Sequence, residues 1–209
     1  MPNLPPISRR HSVCVICEGD EEQGYFTRLT ELNVWSSAYA FYPINAHGAS
    51  NIPARFQDAY QNDRCEIIVI FCDTDKAPYR EYAQVKRKIN AYLNKQKAFE
   101  KITIFANPCS MQIILLHFGE VSLKNQGKKT NASIIEQMTG VKDYRAHAEQ
   151  IKELCGKIHQ KTYPDMRGRV ITLNTPDTVS ASTNFITFLE YFESAESQWI
   201  TTIRKYLRS

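Results

Sequence analysis

The most constraining feature of this chain is a run of six apolar residues, Ile67 to Cys72, of which four are β-branched. The run ends at the polar sequence Asp73-Thr74-Asp75. A short apolar run of this kind predicts a strand that is buried on both faces, as strands of a parallel sheet are. A second run, Val13 to Cys17, has the same character and ends at Glu18-Gly19-Asp20. Both runs are therefore predicted to be central strands.

Helical patterns alternate with these strand signals. Apolar residues at helical spacing follow the run 67–72, namely Tyr82, Val85, Ile89 and Leu93. Two more strands are predicted at 41–46 and 102–106. Four short strands separated by helices predict a three-layer α/β fold, with a mostly parallel central sheet between helices. Beyond residue 107 the pattern becomes mostly helical, although 170–173 favours one more strand and 124–131 a polar loop.

The length of 209 residues fits one domain. We expect a lead-in at 1–12, an α/β core at 13–118, and a mostly helical C-terminal portion at 119–209 packed on the same domain. No stretch approaches the ~18 apolar residues of a membrane span, and the N-terminus lacks the apolar segment of a secretory signal. These features predict a cytoplasmic protein whose six cysteines are reduced thiols. The net charge of +4 permits an anionic partner without requiring one.

Carboxylates follow both strong strands, at the point where each strand ends. The first group contains Glu18 and Glu22, and the second contains Asp73 and Asp75. Ligands of an open parallel sheet bind beyond the carboxyl ends of its strands, so both groups should lie at one edge. A divalent cation relieves the repulsion between such carboxylates, and ligands that are all oxygen suit Mg²⁺ or Mn²⁺. Either group alone has a structural explanation, because acidic residues stabilise helix N-termini. The pairing of the two groups is what favours a metal site.

Other candidate residues each have a functional and a structural interpretation. Asn107 precedes Pro108 at a predicted strand end, where its amide would orient a metal ligand or a phosphate, or make a local turn. The polar loop would either bind nucleic-acid phosphates or stay solvated through three lysines: Lys124, Lys128 and Lys129. Cys14 and Cys17 are three residues apart on a strand and point to opposite faces, which argues against a zinc site.

Two segments resemble a known family. The sequence CEGDEEQGYF at 17–26 is similar to the CEGxxTExxYF opening of RloB-like proteins, and NPCSMQIILLHF at 107–118 is similar to their NPcFExWLLLHF segment. Glu18-Gly19 after one strand, with Asp73-x-Asp75 after a later strand, also looks like the signature of the Toprim domain of topoisomerases, primases and OLD-family nucleases. The resemblance implies a Toprim-like fold and a metal-dependent nuclease in bacterial anti-phage defence, often beside an ATPase.

On this resemblance we expect hydrolysis of DNA or RNA phosphodiester bonds with Mg²⁺ or Mn²⁺. Glu18, Asp73 and Asp75 would be metal ligands. Glu22 would be a further ligand, or the base that orients the attacking water. Lys76, beside the acidic pair, would stabilise charge that develops on the phosphate.

The same resemblance leaves alternatives open. His117 ends the predicted helix 111–118 near the site and is either catalytic or a buried histidine of the core. Met111 occupies the position of an acidic residue in the family segment. That difference keeps open a non-catalytic subunit, which binds a cation and a partner ATPase without turnover. Strand transfer or primer synthesis is a further alternative, but a topoisomerase needs a separate tyrosine domain, for which 209 residues leave little room.

Overall fold

The computed structural model describes residues 10–75, 78–179 and 181–207. The strands are β1 (His11–Cys17), β2 (Tyr39–Asn45), β3 (Ile67–Asp73), β4 (Thr103–Asn107) and β5 (Ser182–Thr183). The helices are α1 (Asp20–Glu31), α2 (Ile52–Gln61), α3 (Arg80–Tyr92), α4 (Ala98–Ile102), α5 (Met111–Leu115), α6 (Lys128–Thr139), α7 (Ala148–Gly156), α8 (Tyr163–Ile171), α9 (Phe185–Glu193) and α10 (Gln198–Leu207). Short 3-10 turns lie at Ala49–Asn51 and Gln160–Thr162.

The strands form one five-stranded sheet in the order β2-β1-β3-β4-β5. The first four are parallel to one another, and the two-residue β5 runs antiparallel to β4. The predicted α/β fold with a mostly parallel central sheet is confirmed. β1 lies between β2 and β3, and every residue from Val13 to Cys17 is at most 1% exposed. A strand in that position has no solvent-facing side, which explains its continuous apolar run.

Helices cover both faces of the sheet. β2 lies on one side of β1 and β3 on the other. Because crossovers between parallel strands are right-handed, this order puts α1 and α2 on opposite faces. On the α1 face, aromatic rings fill the space between the sheet and α9: Phe26, Phe41, Phe71, Phe185 and Phe192. On the other face Ile52 and Phe56 of α2 are fully buried, and α2 packs on β1 and β3.

The C-terminal portion contributes to this same core. β5 extends the sheet, α9 packs on β4, and α7 packs on α1. Buried side chains from Val13 to Leu207 form one hydrophobic cluster. Among the described residues, no helix has both the length and the apolar character needed to cross a membrane.

Three local predictions need correction. The segment predicted as a strand at 170–173 instead ends α8, whose residues Tyr163, Met166 and Val170 recur at helical spacing and are buried. The predicted loop 124–131 is shorter than expected, because α6 begins at Lys128. β1 begins at His11, inside the predicted lead-in, and residues 1–9 lie outside the described residues.

The prediction that all six cysteines are reduced is wrong for two of them. Cys14 and Cys65 form a disulfide across a sequence separation of 51 residues. The remaining four are free and buried: Cys17, Cys72, Cys109 and Cys155. The pairing follows from the sheet order, because β3 lies directly beside β1 and Cys65 just precedes β3. Composition alone gave no sign of it.

Candidate functional site

The ends of β1 and β3 bring two predicted site residues together. The strands are adjacent and parallel, with Cys17 opposite Phe71. Glu18, the next residue after β1, therefore reaches the same edge of the sheet as Asp73. The backbone N–H of Asp73 donates to Glu18 Oε2 at 3.0 Å. The predicted proximity of these two acids at the carboxyl ends of parallel strands, here called the carboxyl edge, is confirmed.

Glu22 is held at the carboxyl edge by the start of α1. The helix begins at Asp20, so Glu22 lies in its first turn, and Glu22 Oε2 accepts a 2.8 Å hydrogen bond from the Gly19 backbone N–H. This bond pairs a backbone donor beside the helix start, as the carboxylate of a capping box does. Glu22 is only 4% exposed. Its carboxylate therefore lies inside the protein and not in solvent.

Ser110 is a site residue that the sequence reasoning missed. It lies just after β4 and is fully buried. Its Oγ donates to Glu22 Oε1, and its backbone N–H donates to Asp73 Oδ1 at 2.7 Å. One residue thus joins carboxylates from two distant segments. The available signal was its position beyond a third strand end, which a parallel sheet places at the same edge.

Asp75 lies at the rim of the same edge. Its backbone N–H donates to the carbonyl of Pro108 at 3.1 Å. Its φ of 59° is in the left-handed region, which Asp adopts more readily than most residues with a side chain. The side chain is half-buried, and burial, followed by the charge of Glu81, raises its pKa. Asp75 thus adds another half-buried carboxylate beside Glu18 and Asp73.

Burial and mutual repulsion raise the pKa of each clustered carboxyl group. Burial is the largest cause for Glu18, whose pKa rises to about 8, and the charge of Glu22 adds to the effect. The pKa of Asp73 is raised by burial, then by Glu22 and Glu18. The pKa of Glu22 is raised by burial, although the hydrogen bond from Ser110 opposes the shift. At neutral pH this cluster either retains protons or carries repelling charges. A divalent cation would displace such protons and neutralise the charges.

The carboxylates line a pocket of about 260 Å³, here called the acidic pocket. Its acidic wall comes from the ends of β1 and β3 and from the first turn of α1. The opposite wall belongs to the C-terminal portion and consists of Gln126, Lys128, Ala146 and Ile151. The pocket therefore lies between the sheet edge and the helical portion packed on it.

Lys128 places a positive charge in this pocket. It is the first residue of α6, and its ammonium forms an ion pair with Glu21. The hydroxyl of Tyr144 donates to Glu21 Oε1 at 2.9 Å. Burial lowers the pKa of Lys128 to about 8, although the negative charge of Glu18 opposes this shift. Of the three lysines predicted to bind phosphates, Lys128 lies in the pocket, whereas Lys124 and Lys129 are exposed and do not line it.

Comparisons of this chain with protein-family models, with curated proteins and with solved structures found no match. The resemblance to RloB-like proteins and to the Toprim domain therefore stays a prediction. The chemistry of the acidic pocket has to follow from its own residues and their geometry.

The structure does not bring His117 to the acidic pocket. His117 is 3% exposed, with Nε2 at 3.0 Å from the Tyr25 hydroxyl and Nδ1 at 3.0 Å from Thr162 Oγ1. Burial lowers its pKa to about 3, so the ring is neutral at physiological pH. With both nitrogens engaged, His117 joins α1 to the C-terminal portion.

Asn107 also acts away from the pocket. Its Nδ2 donates to the carbonyls of Asp177 and Val179 at 2.7 and 3.0 Å. These bonds fasten the segment after α8 to the end of β4, which is a structural role. Lys76, the remaining predicted residue, lies outside the described residues.

The oxygen atoms at the carboxyl edge suit Mg²⁺ or Mn²⁺ in their chemistry. Within the described part of the chain, hydrogen bonds use Glu18 Oε2, Asp73 Oδ1 and both oxygens of Glu22. Among the contacts of the described residues, Glu18 Oε1, Asp73 Oδ2 and the Asp75 carboxylate have no hydrogen bond and would be open to a hard cation. Across residues 10–75, 78–179 and 181–207, no three His, Cys, Asp or Glu side chains are arranged to hold a metal ion. Metal binding would therefore require these side chains to turn toward one another.

Proposed function

We propose that this protein is a divalent-metal-dependent nuclease that hydrolyses phosphodiester bonds of DNA or RNA in the acidic pocket. The observation that supports the proposal most is the convergence of Glu18 and Glu22 with Asp73, from two segments that are distant in sequence; all three residues are buried or half-buried. A buried cluster of carboxyl groups with raised pKa values lowers the stability of the folded protein until a ligand neutralises it. Such clusters are therefore typical of functional sites. Binding a cation is the use that best fits oxygen-only ligands in a pocket open to a substrate.

The roles of the residues follow from which oxygens are free. Glu18, Asp73 and Asp75 would hold Mg²⁺ or Mn²⁺, because each keeps at least one oxygen without a hydrogen bond in the described structure. A bound divalent cation would activate water for attack and neutralise charge that develops on the phosphate. Glu22 would orient the attacking water or add negative charge behind the ligands, since Gly19 and Ser110 hold its carboxylate in place.

The phosphate of the substrate would approach from the wall that carries Lys128. Lys128 would leave Glu21 and bind a phosphate oxygen of the substrate. Lysine is a common ligand of phosphate groups in proteins. Lys124 and Lys129 flank it on the surface and would contact neighbouring phosphates. The resemblance to RloB-like proteins adds a partner ATPase and a role in anti-phage defence to this proposal.

The proposal is tested by incubating labelled DNA and RNA with the protein under Mg²⁺, Mn²⁺ and EDTA. Wild type should cleave at least one substrate with a divalent cation and none with EDTA. Asp73→Asn should be inactive while remaining folded. Glu136→Gln removes one exposed acid from α6, outside the pocket, and should behave as wild type. Absence of metal-dependent cleavage of every substrate would reject the nuclease.

A cation-binding subunit without catalysis is the second candidate. Met111, at the position of the acidic residue in the family segment, is buried at the start of α5 and offers no carboxylate. This candidate predicts that the wild-type melting temperature rises with Mn²⁺, that the rise is lost in Asp73→Asn, and that no nucleic acid is cleaved. Both candidates share the metal-dependent rise in melting temperature, so cleavage of nucleic acid by the wild type is the measurement that separates them.

A further inference from the structure

The opposite edge of the sheet, where β1 and β3 begin, contains the disulfide between Cys14 and Cys65. We call it the amino edge. Cys14 lies within β1 and is 1% exposed. Cys65 lies in the connection before β3 and is half-buried. The two cysteines of this bond therefore differ in their exposure to solvent.

Cys65 lines a pocket of about 500 Å³ at the amino edge, here called the basic pocket, and Cys14 does not line it. Three arginines from separate segments line it as well: Arg10 before β1, Arg64 before β3 and Arg204 on α10. A small molecule in this pocket would meet one sulfur atom of the disulfide and several guanidinium groups.

The charges at this pocket favour an anion. Its two acidic lining residues are Asp63 and Glu66. Glu66 is already engaged, because Oε2 lies 2.7 Å from His11 Nδ1 and Oε1 accepts from Arg204. Arg204 Nε is buried without a hydrogen-bond partner in the described structure. Arg10 and Arg64 are exposed. Arg64 Nη2 lies 3.5 Å from Asp58 Oδ2 in a solvent-exposed ion pair, which an anionic ligand would replace.

We propose that Cys65 is a modification site for acidic low-molecular-weight thiols, which bind in the basic pocket and exchange with the disulfide. The incoming thiolate attacks the Cys65 sulfur, a new S–S bond forms between them, and the bond between Cys65 and Cys14 breaks. The electron pair of the broken bond stays on Cys14, which takes up the proton that the incoming thiol lost. The reaction consumes one thiol and one disulfide and yields one mixed disulfide and one thiol, so no other oxidant or reductant is needed.

The structure selects both the sulfur atom and the class of thiol. Attack at Cys65 leaves the adduct in the pocket, whereas attack at Cys14 would require a path through the interior of the sheet. The arginines attract a sulfonate or carboxylate on the incoming thiol and repel an ammonium. Cys14 remains buried beside Cys65 after the exchange, so it can displace the adduct and re-form the disulfide.

The first measurement is the state of the cysteines in protein purified without reductant. Alkylation under denaturing, non-reducing conditions should modify the four free cysteines and leave Cys14 and Cys65 unmodified. The folded protein is then treated with mercaptoethanesulfonate or cysteamine, which are anionic and cationic thiols of similar size. Mass spectrometry should find one added thiol, and peptide mapping should place it on Cys65.

The charge preference is measured as the ratio of the two exchange rates, each expressed per thiolate present. The anionic thiol should react about fivefold faster than the cationic one at low ionic strength, and salt should abolish the difference. The double variant Arg10→Gln with Arg64→Gln should lose this preference. The matched variant Arg87→Gln with Lys88→Gln, which removes two exposed cations from α3, should retain it.

Three results would overturn the inference. Alkylation of all six cysteines in the unreduced protein would show that the disulfide is absent. An adduct that maps to Cys14, or to one of the four free cysteines, would show that the basic pocket does not direct the exchange. Equal rates for the two thiols at low salt would remove the preference for acidic ligands even if Cys65 reacts.

Discussion

At the two edges of the central sheet, the pKa values of carboxyl groups shift in opposite directions. At the carboxyl edge, burial and neighbouring carboxylates raise the pKa values of Glu18 and Asp73. At the amino edge, burial alone would raise the pKa of Glu66, but hydrogen bonds and charge from His11 and Arg204 lower it below its usual value. One edge therefore contains acids that repel one another, and the other contains an acid with basic partners.

This difference indicates where a ligand is needed. An acid with two basic partners contributes to stability without any further group, as Glu66 does. Acids that repel one another lower stability until a cation joins them. The contrast therefore favours the carboxyl edge as the metal site. Cys65 and its neighbouring arginines line a different pocket, at the amino edge.

Cleavage activity should respond most strongly to this contrast. Asp73→Asn and Glu18→Gln should each lower the metal-dependent cleavage rate by about two to four orders of magnitude, because several kcal/mol of transition-state stabilisation pass through the metal. Arg64→Gln at the amino edge should leave the rate unchanged. Rates under saturating Mn²⁺ measure both effects. A comparable loss in Arg64→Gln would contradict the separation of the two edges.

Nucleic-acid affinity should change less, and in a graded way. Replacement of Lys124, Lys128 and Lys129 by Gln should weaken binding, and each lost phosphate contact should flatten the log–log salt dependence by about one unit. Lys128→Gln alone should also lower cleavage, because Lys128 is the one of these three that lines the acidic pocket. Titrations of labelled DNA and RNA at several salt concentrations, in Ca²⁺ or EDTA to prevent cleavage, give the slope of affinity against salt for the wild type and for the triple variant. An unchanged slope in the triple variant would exclude this segment from the interface.

Stability without metal should move in opposite directions at the two edges. Asp73→Asn removes a repelling charge and retains the oxygen that accepts from Ser110, so the melting temperature in EDTA should rise. Glu66→Gln removes the charge that pairs with His11 and Arg204, so the melting temperature of this variant should fall. For a chain of this size, the melting temperature shifts by about 2–4 °C for each kcal/mol of change in the free energy of unfolding. Calorimetry measures both shifts, and shifts of the same sign would refute the comparison.

The pH dependence of unfolding should show the smallest effect. The folded-state pKa of Glu18, about 8, is above its ordinary 4.5, so between these values the folded state binds more protons than the unfolded state. Metal-free stability should therefore fall as pH rises from about 4.5 to about 8 and level off above that, and Glu18→Gln should reduce the fall. The pKa of Glu66 is lowered, so its contribution should be lost as pH falls below its usual range. Melting temperatures across this range test both signs.

The sequence predicted most of the fold and the acids of the site. The runs 13–17 and 67–72 correspond to β1 and β3, and the alternation with helices identified the parallel sheet. Because the carboxyl ends of neighbouring parallel strands meet at one edge, the position of Glu18 and Asp73 just after their strands was enough to place them together. Local patterns of burial determine strands, and strand direction determines which ends meet.

Packing between distant segments decided the rest. Ser110 joins Glu22 to Asp73, Lys128 enters the acidic pocket on α6, and His117 is enclosed by Tyr25 and Thr162. Each of these contacts joins residues that are tens of positions apart, and no local periodicity encodes such a distance.

The disulfide gives the clearest case of this limit. The spacing of Cys14 and Cys65 along the sequence did not predict it, and it forms where β3 lies beside β1. The sequence by itself determined the elements and the acids at their ends, because those depend on neighbouring residues. The tertiary structure alone decided which side chains pair across elements, because that depends on the order of strands in the sheet and on how the helices pack against it.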